Sequence, residues 1–196
     1  MAVAGSQISK PVVRLREGRA VNAVADFLRK MLYVPNIYLE PPSSIIAADV
    51  LAVDRGGSGD LHAVEIKLGA DFSVKTSSKP ANTRELNQLQ NAWLLNLRKK
   101  VKQIHSQLMS LPAHYRYLAM PSETKDQVLS ELAPLDLFSP DGIGRLGLIG
   151  ITNRGDESPV AELLIVPERF RVNASKLGII ESRLLKRVRP DIEIRT

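Results

Sequence analysis

The sequence predicts an α/β protein in which helices flank a central mixed sheet. Two apolar stretches, 45–53 and 61–68, are rich in β-branched residues and are joined by a Gly-rich turn, which is typical of a β-hairpin. Along 84–109, apolar residues recur at intervals of three and four, which indicates a long amphipathic helix. Strands that alternate with amphipathic helices are typical of layered α/β folds.

The N-terminal part of the chain is predicted to fold in the order helix, three strands, helix, strand. The first helix spans 13–32, and a short strand over 37–40 precedes the hairpin. The polar stretch 70–83 is expected to form a mobile loop between the hairpin and the long helix. Residues 115–120 then form the fourth strand, which ends at a proline.

The rest of the chain is predicted to add further elements to this core. They are a helix over 123–132 capped by Ser122, strands over 146–152 and 161–166, and a last helix that is capped by Asn173 or Ser175 and ends near Val188. We expect 1–12 to be a flexible N-terminal lead and 13–196 to be a single domain. Its core covers about 13–120 and its C-terminal extension about 121–196.

Three charged side chains interrupt the apolar hairpin. Asp49 lies in its first strand, and Glu65 and Lys67 lie two residues apart in its second, so that these two project from the same face. Charges in so apolar a strand are costly unless they are paired or bind a metal. If the strand register places Asp49 beside Glu65, the two carboxylates and the carbonyl of Ile66 offer hard oxygen ligands for Mg²⁺ or Mn²⁺. The alternative is a surface ion pair between Glu65 and Lys67 on an edge strand.

Asp49, followed on the adjacent strand by Glu65-Ile66-Lys67, resembles the PD-(D/E)xK nuclease superfamily, and most of all its resolvase-like branch. The resemblance implies a restriction-endonuclease-like core, αβββαβ, and metal-dependent hydrolysis of DNA. It implies that Asp49 and Glu65 bind the metal and that Lys67 assists the attacking water. Many members carry a further Glu on the first helix near the metal, and Glu17 is the matching candidate.

The sequence departs from the family pattern at two points. Ala48 stands where the family often has a proline before the metal-binding Asp. One branch also has a Gln-x-x-x-Tyr signature on the next helix, and this is missing, because Ala92 follows Gln88 and Leu94 follows Gln90 at that spacing.

Overall charge suits a polyanionic partner, since 27 Lys and Arg against 21 Asp and Glu give a net charge of +6. A basic balance is also common in proteins that bind no nucleic acid, and it is the resemblance to the nucleases that implies DNA as the partner. The candidate phosphate-binding residues form two clusters, one in each of two helices: Arg98, Lys99, Lys100 and Lys102, and Arg183, Lys186 and Arg187. The alternative is that these cations are solvated, and in the last helix that they complement the helix dipole.

Several classes of protein are excluded or disfavoured. The chain has no Cys, which excludes disulfides and thiolate metal sites and fits a reducing cytoplasm, the expected location. No apolar run is long enough to span a membrane and no signal peptide is evident, so no membrane partner is expected. His62, His105 and His114 lack the spacing of metal ligands and are predicted to be structural or solvated. A homodimer is among the expected assemblies.

The leading hypothesis is a DNA endonuclease dependent on Mg²⁺ or Mn²⁺, acting in repair, recombination or restriction. A non-catalytic DNA-binding protein on the same fold is one alternative. An α/β scaffolding protein in which Glu65 and Lys67 form a plain ion pair is another.

Overall fold

A six-stranded mixed sheet lies at the centre of the computed structural model, which describes residues 15–34, 36–41, 46–54, 59–68, 82–132, 145–155 and 157–187. The lead expected over 1–12 and most of the loop expected over 70–83 lie outside these ranges. In chain order, the helices and strands are α1 (Glu17–Met31), β1 (Asn36–Leu39), β2 (Val50–Val53), β3 (Leu61–Ile66), α2 (Thr83–Ser110), β4 (Tyr115–Pro121), α3 (Lys125–Leu132), β5 (Gly147–Thr152), β6 (Val160–Ile165) and α4 (Ala174–Arg187).

The strands follow one another across the sheet in chain order, from β1 to β6. β1, β2 and β3 pair antiparallel, β3, β4 and β5 pair parallel, and β6 pairs antiparallel with β5. The end of β1, the start of β2 and the carboxyl ends of β3, β4 and β5 therefore lie on one side of the sheet. We call this side the carboxyl rim, and it passes through Leu39, Val50, Ile66, Pro121 and Thr152.

Each face of the sheet has its own apolar core. The α1 face is formed by that helix and by inward-pointing strand residues such as Val50, Val64 and Ala119. The opposite face packs against the C-terminal part of α2 and against α4, through the side chains Leu51, Ala63, Leu118, Ile104, Leu108, Ile180 and Leu184. The predicted α/β class with a mixed sheet flanked by helices is confirmed, and the predicted C-terminal strands complete the same sheet. In the part of the chain that the structure describes, no helix has the length and apolarity that a membrane span requires.

Two predicted helix starts are wrong. The first helix begins at Glu17 rather than at residue 13, because Arg16 has extended backbone angles, φ −89° and ψ 146°. Ser122 does not cap α3, because it belongs to the short 3-10 helix Ser122–Thr124, where its hydroxyl lies 3.1 Å from that of Thr152. The cap of α4 is Asn173, one of the two predicted residues, whose Oδ1 accepts a hydrogen bond from the backbone N–H of Ser175.

An ion pair between the half-exposed Arg169 and the buried Asp60 ties the segment before α4 to the start of β3. Arg169 donates from Nε and Nη2 to the Asp60 carboxylate, the shorter bond being 2.7 Å, and Asp60 is only 4% exposed. His114 Nδ1 lies 3.5 Å from the same carboxylate and accepts the backbone N–H of Leu61. These contacts lie at the side of the sheet opposite the carboxyl rim, and they anchor the C-terminal part of the chain to the core.

His62 lies among aromatic rings on the α1 face. Its Nδ1 is 3.1 Å from the Tyr117 hydroxyl, and its ring stacks on Tyr115 with 4.7 Å between centroids. Burial lowers the pKa of His62 to about 4, and the nearby Asp60 carboxylate opposes that shift only in part. The imidazole is therefore neutral in the folded protein at neutral pH, which agrees with a structural role.

The buried neutral His62 should make the fold acid-sensitive. The unfolded chain protonates this imidazole below about pH 6.5, whereas the folded protein does so only near pH 4, so stability is lost as the pH falls through that interval. Between pH 7 and pH 4, we expect the free energy of unfolding to fall by about 3 kcal/mol less in His62→Gln than in the wild type. Urea unfolding of both proteins across this range measures the difference. Parallel pH profiles would contradict the assignment.

Candidate active site

The strand register brings Asp49 and Glu65 together at the carboxyl rim. Val50 and Val64 form the last pair of the β2–β3 ladder, and just beyond it the N–H of Asp49 donates to the Val64 carbonyl over 3.0 Å, so Asp49 lies beside Glu65 at the end of the ladder. Their side chains point to the face that α2 covers, as do those of Leu51 and Ala63. The predicted metal site depends on a strand register that places Asp49 beside Glu65, and the structure places the two residues in this way.

Asp49 is fixed by the backbone of β3. Its Oδ2 accepts a 2.6 Å hydrogen bond from the N–H of Ile66. In an extended strand, the N–H and the C=O of one residue point to the same side, so the Ile66 carbonyl is also directed towards Asp49. The structure thus holds the Asp49 carboxylate against the backbone of Ile66, and Asp49 and Glu65 line the same pocket.

Glu65 is buried in a central strand and has two partners. It is 4% exposed, its Oε1 accepts from Lys67 Nζ over 2.6 Å, and its Oε2 accepts from Gln107 Nε2 over 3.1 Å. The ion pair foreseen as the alternative to a metal site therefore exists. Its predicted setting on an edge strand is wrong, because β3 lies between β2 and β4.

The environment of Glu65 disfavours its ionised form. Burial raises the pKa of this carboxyl, and the Asp49 carboxylate raises it further, whereas the hydrogen bonds from Lys67 and Gln107 lower it. The net direction is upward, so the contacts with Lys67 and Gln107 compensate only part of the cost of burial. A further positive charge at this point would favour the carboxylate.

An open pocket of about 280 Å³ adjoins the two carboxylates. Gln107 of α2 forms one wall. The other wall is formed by residues between β1 and β2, namely Pro41, Ile46, Ala47 and Ala48. Glu40 also lines this pocket. The N–H of Glu40 donates to the Asp49 carbonyl over 2.8 Å, and the residue has a positive φ of 44°, which is uncommon for a residue other than glycine.

Glu17 lies away from this pocket. It is an exposed residue in the first turn of α1, which packs on the opposite face of the sheet. Arg19, in the same turn, donates to the carbonyls of Gly155 and Glu157, which places the start of α1 beside the β5–β6 turn. That turn follows β5, the third strand from β2, so the structure does not bring Glu17 to Asp49 and Glu65.

The predicted phosphate-binding cations lie on helix surfaces. Arg98, Lys99 and Lys102 are exposed on α2, and Lys100 is partly exposed. Arg183 is exposed on α4. The side chains of Lys186 and Arg187 lie outside the described residues.

Two residues of the site were not predicted. Gln107 borders the apolar stripe of α2, since Leu108 follows it and Ile104 lies three residues before it, and a polar residue at that border is a signal for a contact with the sheet. Glu40 directly follows β1, and the pairing of β1 with β2 carries it to the start of β2 beside Asp49. Either residue can be found only once the packing of α2 and the pairing of β1 are known.

The donor set fits a divalent cation of the hard type. Within the described ranges, no group of three or more acidic or histidine side chains is arranged to bind a metal. Mg²⁺, however, is usually bound through one or two carboxylates, keeps several waters and is completed by substrate phosphates. Asp49, Glu65 and the Ile66 carbonyl are a donor set of that kind.

A distant likeness links the chain to a solved structure. SPO1766, a protein of unknown function from Silicibacter pomeroyi, has 14% sequence identity and a TM-score of 0.45, over 89% of this chain and 87% of that chain. No family model and no curated protein matches the chain. Since a TM-score of that size carries no argument, the function must be inferred from the site itself.

Neutralising Glu65 should stabilise the protein in the absence of metal. A carboxyl whose pKa is raised on folding holds more protons in the folded state, so stability falls as the pH rises from the unfolded value, near 4.5, through the raised one. Glu65→Gln removes this loss and keeps a group that can bond to Gln107. We expect the variant to melt higher than the wild type at pH 7 in EDTA, with the gap closing towards pH 4. A lower melting temperature at pH 7 would contradict a net cost for the buried charge.

Proposed function

We propose that the protein is a metal-dependent nuclease that hydrolyses DNA phosphodiester bonds. The observation that carries the proposal is the meeting of Asp49, Glu65 and Lys67 at the carboxyl rim, beside an open pocket. The carboxylates and the Ile66 carbonyl would hold Mg²⁺ or Mn²⁺. That ion would supply charge neutralisation at the phosphate and a bound water of lowered pKa.

The roles of the chain's own groups follow from their contacts. Asp49 is held by the Ile66 N–H, so its carboxylate stays at the rim while substrate enters. Within the described part of the chain, nothing donates to its Oδ1, which leaves that oxygen available as a ligand. Lys67 is 24% exposed at its side chain, so its ammonium can leave Glu65 and reach a water or a phosphate oxygen in the pocket. A cation so placed stabilises a developing anion.

The order of elements supports a finer assignment of the fold. α1, three antiparallel strands, α2 and a parallel fourth strand follow one another as in the αβββαβ core implied by the resemblance to PD-(D/E)xK nucleases. We therefore include the restriction-endonuclease-like fold in the proposal. Residues 1–120 contribute all parts of the proposed site, and β5 and β6 widen the sheet on the side away from it.

A non-catalytic DNA-binding protein is the second candidate, and one observation favours it. Both oxygens of Glu65 already have donors, Lys67 and Gln107, so the buried carboxylate is compensated in part without any metal. On this alternative, the Glu65–Lys67 pair is a structural remnant of the site and the basic helices still contact phosphates. The two candidates differ in metal binding and in turnover.

Metal binding should depend on both carboxylates. Calorimetry and melting curves with Mn²⁺ should show binding by the wild type, a rise in melting temperature, and a loss of affinity of about tenfold or more in Asp49→Asn and in Glu65→Gln. Asp54→Asn is the matched control, because Asp54 follows the other end of β2 and the substitution removes the same charge. Equal Mn²⁺ affinity in wild type and Glu65→Gln would exclude the proposed ligand set.

Lys67 should matter for the rate of cleavage more than for metal affinity. Its ammonium competes with a cation at Glu65, so Lys67→Ala should bind Mn²⁺ at least as well as the wild type. Single-turnover cleavage of labelled DNA should slow by about a hundredfold, as for the loss of one positioned electrostatic donor.

Circular dichroism of the same samples checks that the fold survives, since β3 keeps its backbone pairing. Wild-type cleavage by Lys67→Ala, alongside an inactive Glu65→Gln, would make Lys67 a bystander. A panel of duplex, single-stranded, nicked and branched DNA with Mg²⁺ or Mn²⁺ tests the proposed function itself. If the wild type binds DNA and cuts none of these substrates, the second candidate replaces the first.

A further inference from the structure

α2 is much longer than the sheet that it covers, and this places its earlier turns beyond the carboxyl rim. Gln107 contacts Glu65, near the end of β3, whereas the carbonyl of Met109 accepts from Arg116, which pairs with Ala63 two residues earlier in β3. The helix therefore runs antiparallel to β3. Going back from Gln107 towards Thr83, it leaves the sheet on the side where the candidate site lies.

The burial of α2 agrees with this projection. From Ile104 onwards, the helix contributes Ile104, Leu108 and the following Leu111 to the core. Among the described side chains from 83 to 103, none is buried. The helix rises about 36 Å from Thr83 to Gln107, so its earlier turns extend well beyond the carboxyl rim, starting from the wall of the pocket at Gln107.

One face of this helix leads directly to Glu65. At about 100° per residue, Asn96, Lys100 and Gln103 lie within about 40° of Gln107 around the helix axis. All four side chains are polar, and all are at least partly exposed. Lys102, in contrast, points about 160° away from Lys100, and Arg98 also lies on that far side.

We propose that the face formed by Asn96, Lys100, Gln103 and Gln107 is the track along which one strand of the nucleic-acid substrate reaches the active site. This inference rests on the proposed function and names the substrate surface of the same site. Lys100 supplies the phosphate contact, and the amides of Asn96 and Gln103 offer uncharged hydrogen-bond donors beside it. Of the four basic residues predicted for this helix, Arg98 and Lys102 thereby lie outside the track.

The spacing gives Lys100 a definite place on the substrate. It lies seven residues from Gln107, or about 10 Å along the helix, which equals about three nucleotide steps of B-form DNA at 3.4 Å each. Lys100 therefore contacts a phosphate about three nucleotides from the bond at Glu65. The contact is electrostatic and independent of base identity.

A matched pair of charge reversals on one helix tests the track. Lys100→Glu and Lys102→Glu change the net charge equally, and the two positions are two residues apart on nearly opposite faces. Binding of a fluorescein-labelled 20-mer, single-stranded and duplex, is measured by anisotropy across a salt series, in EDTA and in Mn²⁺. We expect Lys100→Glu to weaken binding about tenfold and to lower the salt slope by about one, while Lys102→Glu changes affinity less than about twofold.

The outcomes separate the track from the proposed function. Equal losses in both variants, or no loss in either, would overturn the track. If the wild type still cleaves DNA in that case, the nuclease proposal stands. If Lys100→Glu alone loses affinity while the wild type cuts no DNA, the track stands and catalysis fails. A wild type that binds neither 20-mer overturns the track, and one that also cuts none of the duplex, single-stranded, nicked and branched DNAs overturns both proposals.

Site-specific cross-linking is a second test, and it does not depend on a loss of affinity. It is possible because the chain contains no cysteine of its own. Lys100→Cys and Lys102→Cys each introduce a single thiol, since the chain contains no other. An oligonucleotide with a disulfide-activated tether on one backbone phosphate should cross-link to the first variant and leave the second largely unmodified. Lys100→Gln replaces Lys100→Glu in the binding series if circular dichroism shows that the charge reversal disturbs the fold. Cross-linking of both thiols at the same rate would overturn the track.

Discussion

The burial of Glu65 in the middle of a six-stranded sheet is the constraint on which the rest of the site depends. An ionised carboxylate there is costly unless it is compensated, and its neighbours, which compensate or oppose the charge, come from different parts of the fold. Lys67 directly follows β3, the strand that contains Glu65, and Gln107 lies in α2. Asp49 directly precedes β2, and the pairing of β2 with β3 brings it beside Glu65. The pKa of Glu65 remains raised in spite of Lys67 and Gln107, so the fold maintains a charge that its own contacts do not fully balance.

Burial is the largest cause of this imbalance, and the position of Asp49 adds to it. Asp49 is held at the rim by the backbone of Ile66, and its carboxylate opposes the ionisation of Glu65. A scaffold selected only for stability has no physical need for a second carboxylate beside a buried one, and an apolar residue at either position would pack at lower cost. The pair is more readily explained as a site that accepts a cation. The two carboxylates repel each other, whereas both attract a cation that lies between them.

Most of the fold was predictable because it rests on local periodicity. The apolar stripe predicted over 84–109 places α2 to within one residue at each end, and the alternation within 61–68 gives the face of Glu65. The pairing of Asp49 with Glu65 needed one further fact, the strand register, which a short Gly-rich turn limits but does not fix. The start of α1 was misplaced because the backbone of Arg16 is extended although its neighbours fit a helical pattern.

What the sequence could not supply is the position of one element relative to another. Glu17 was placed near the metal by resemblance, but α1 packs on the opposite face, and the contacts of Arg19 hold its first turn beside the β5–β6 turn. Gln107 and Glu40 were not found because each reaches the pocket only through the packing of α2 or the pairing of β1. Both are consequences of tertiary geometry, to which a single sequence gives little access.

The distribution of charge separates two tasks that the proposed nuclease would have to combine. Asp49 and Glu65 make the pocket itself acidic, so a phosphate approaching it meets repulsion until a cation is present. The net charge of +6 must therefore act from elsewhere on the surface, and the exposed turns of α2 place cations next to the pocket without entering it. Attraction of the polyanion and neutralisation at the bond to be cut are thus assigned to different groups. Because α2 carries both the cations and Gln107, one rigid helix sets the distance between them.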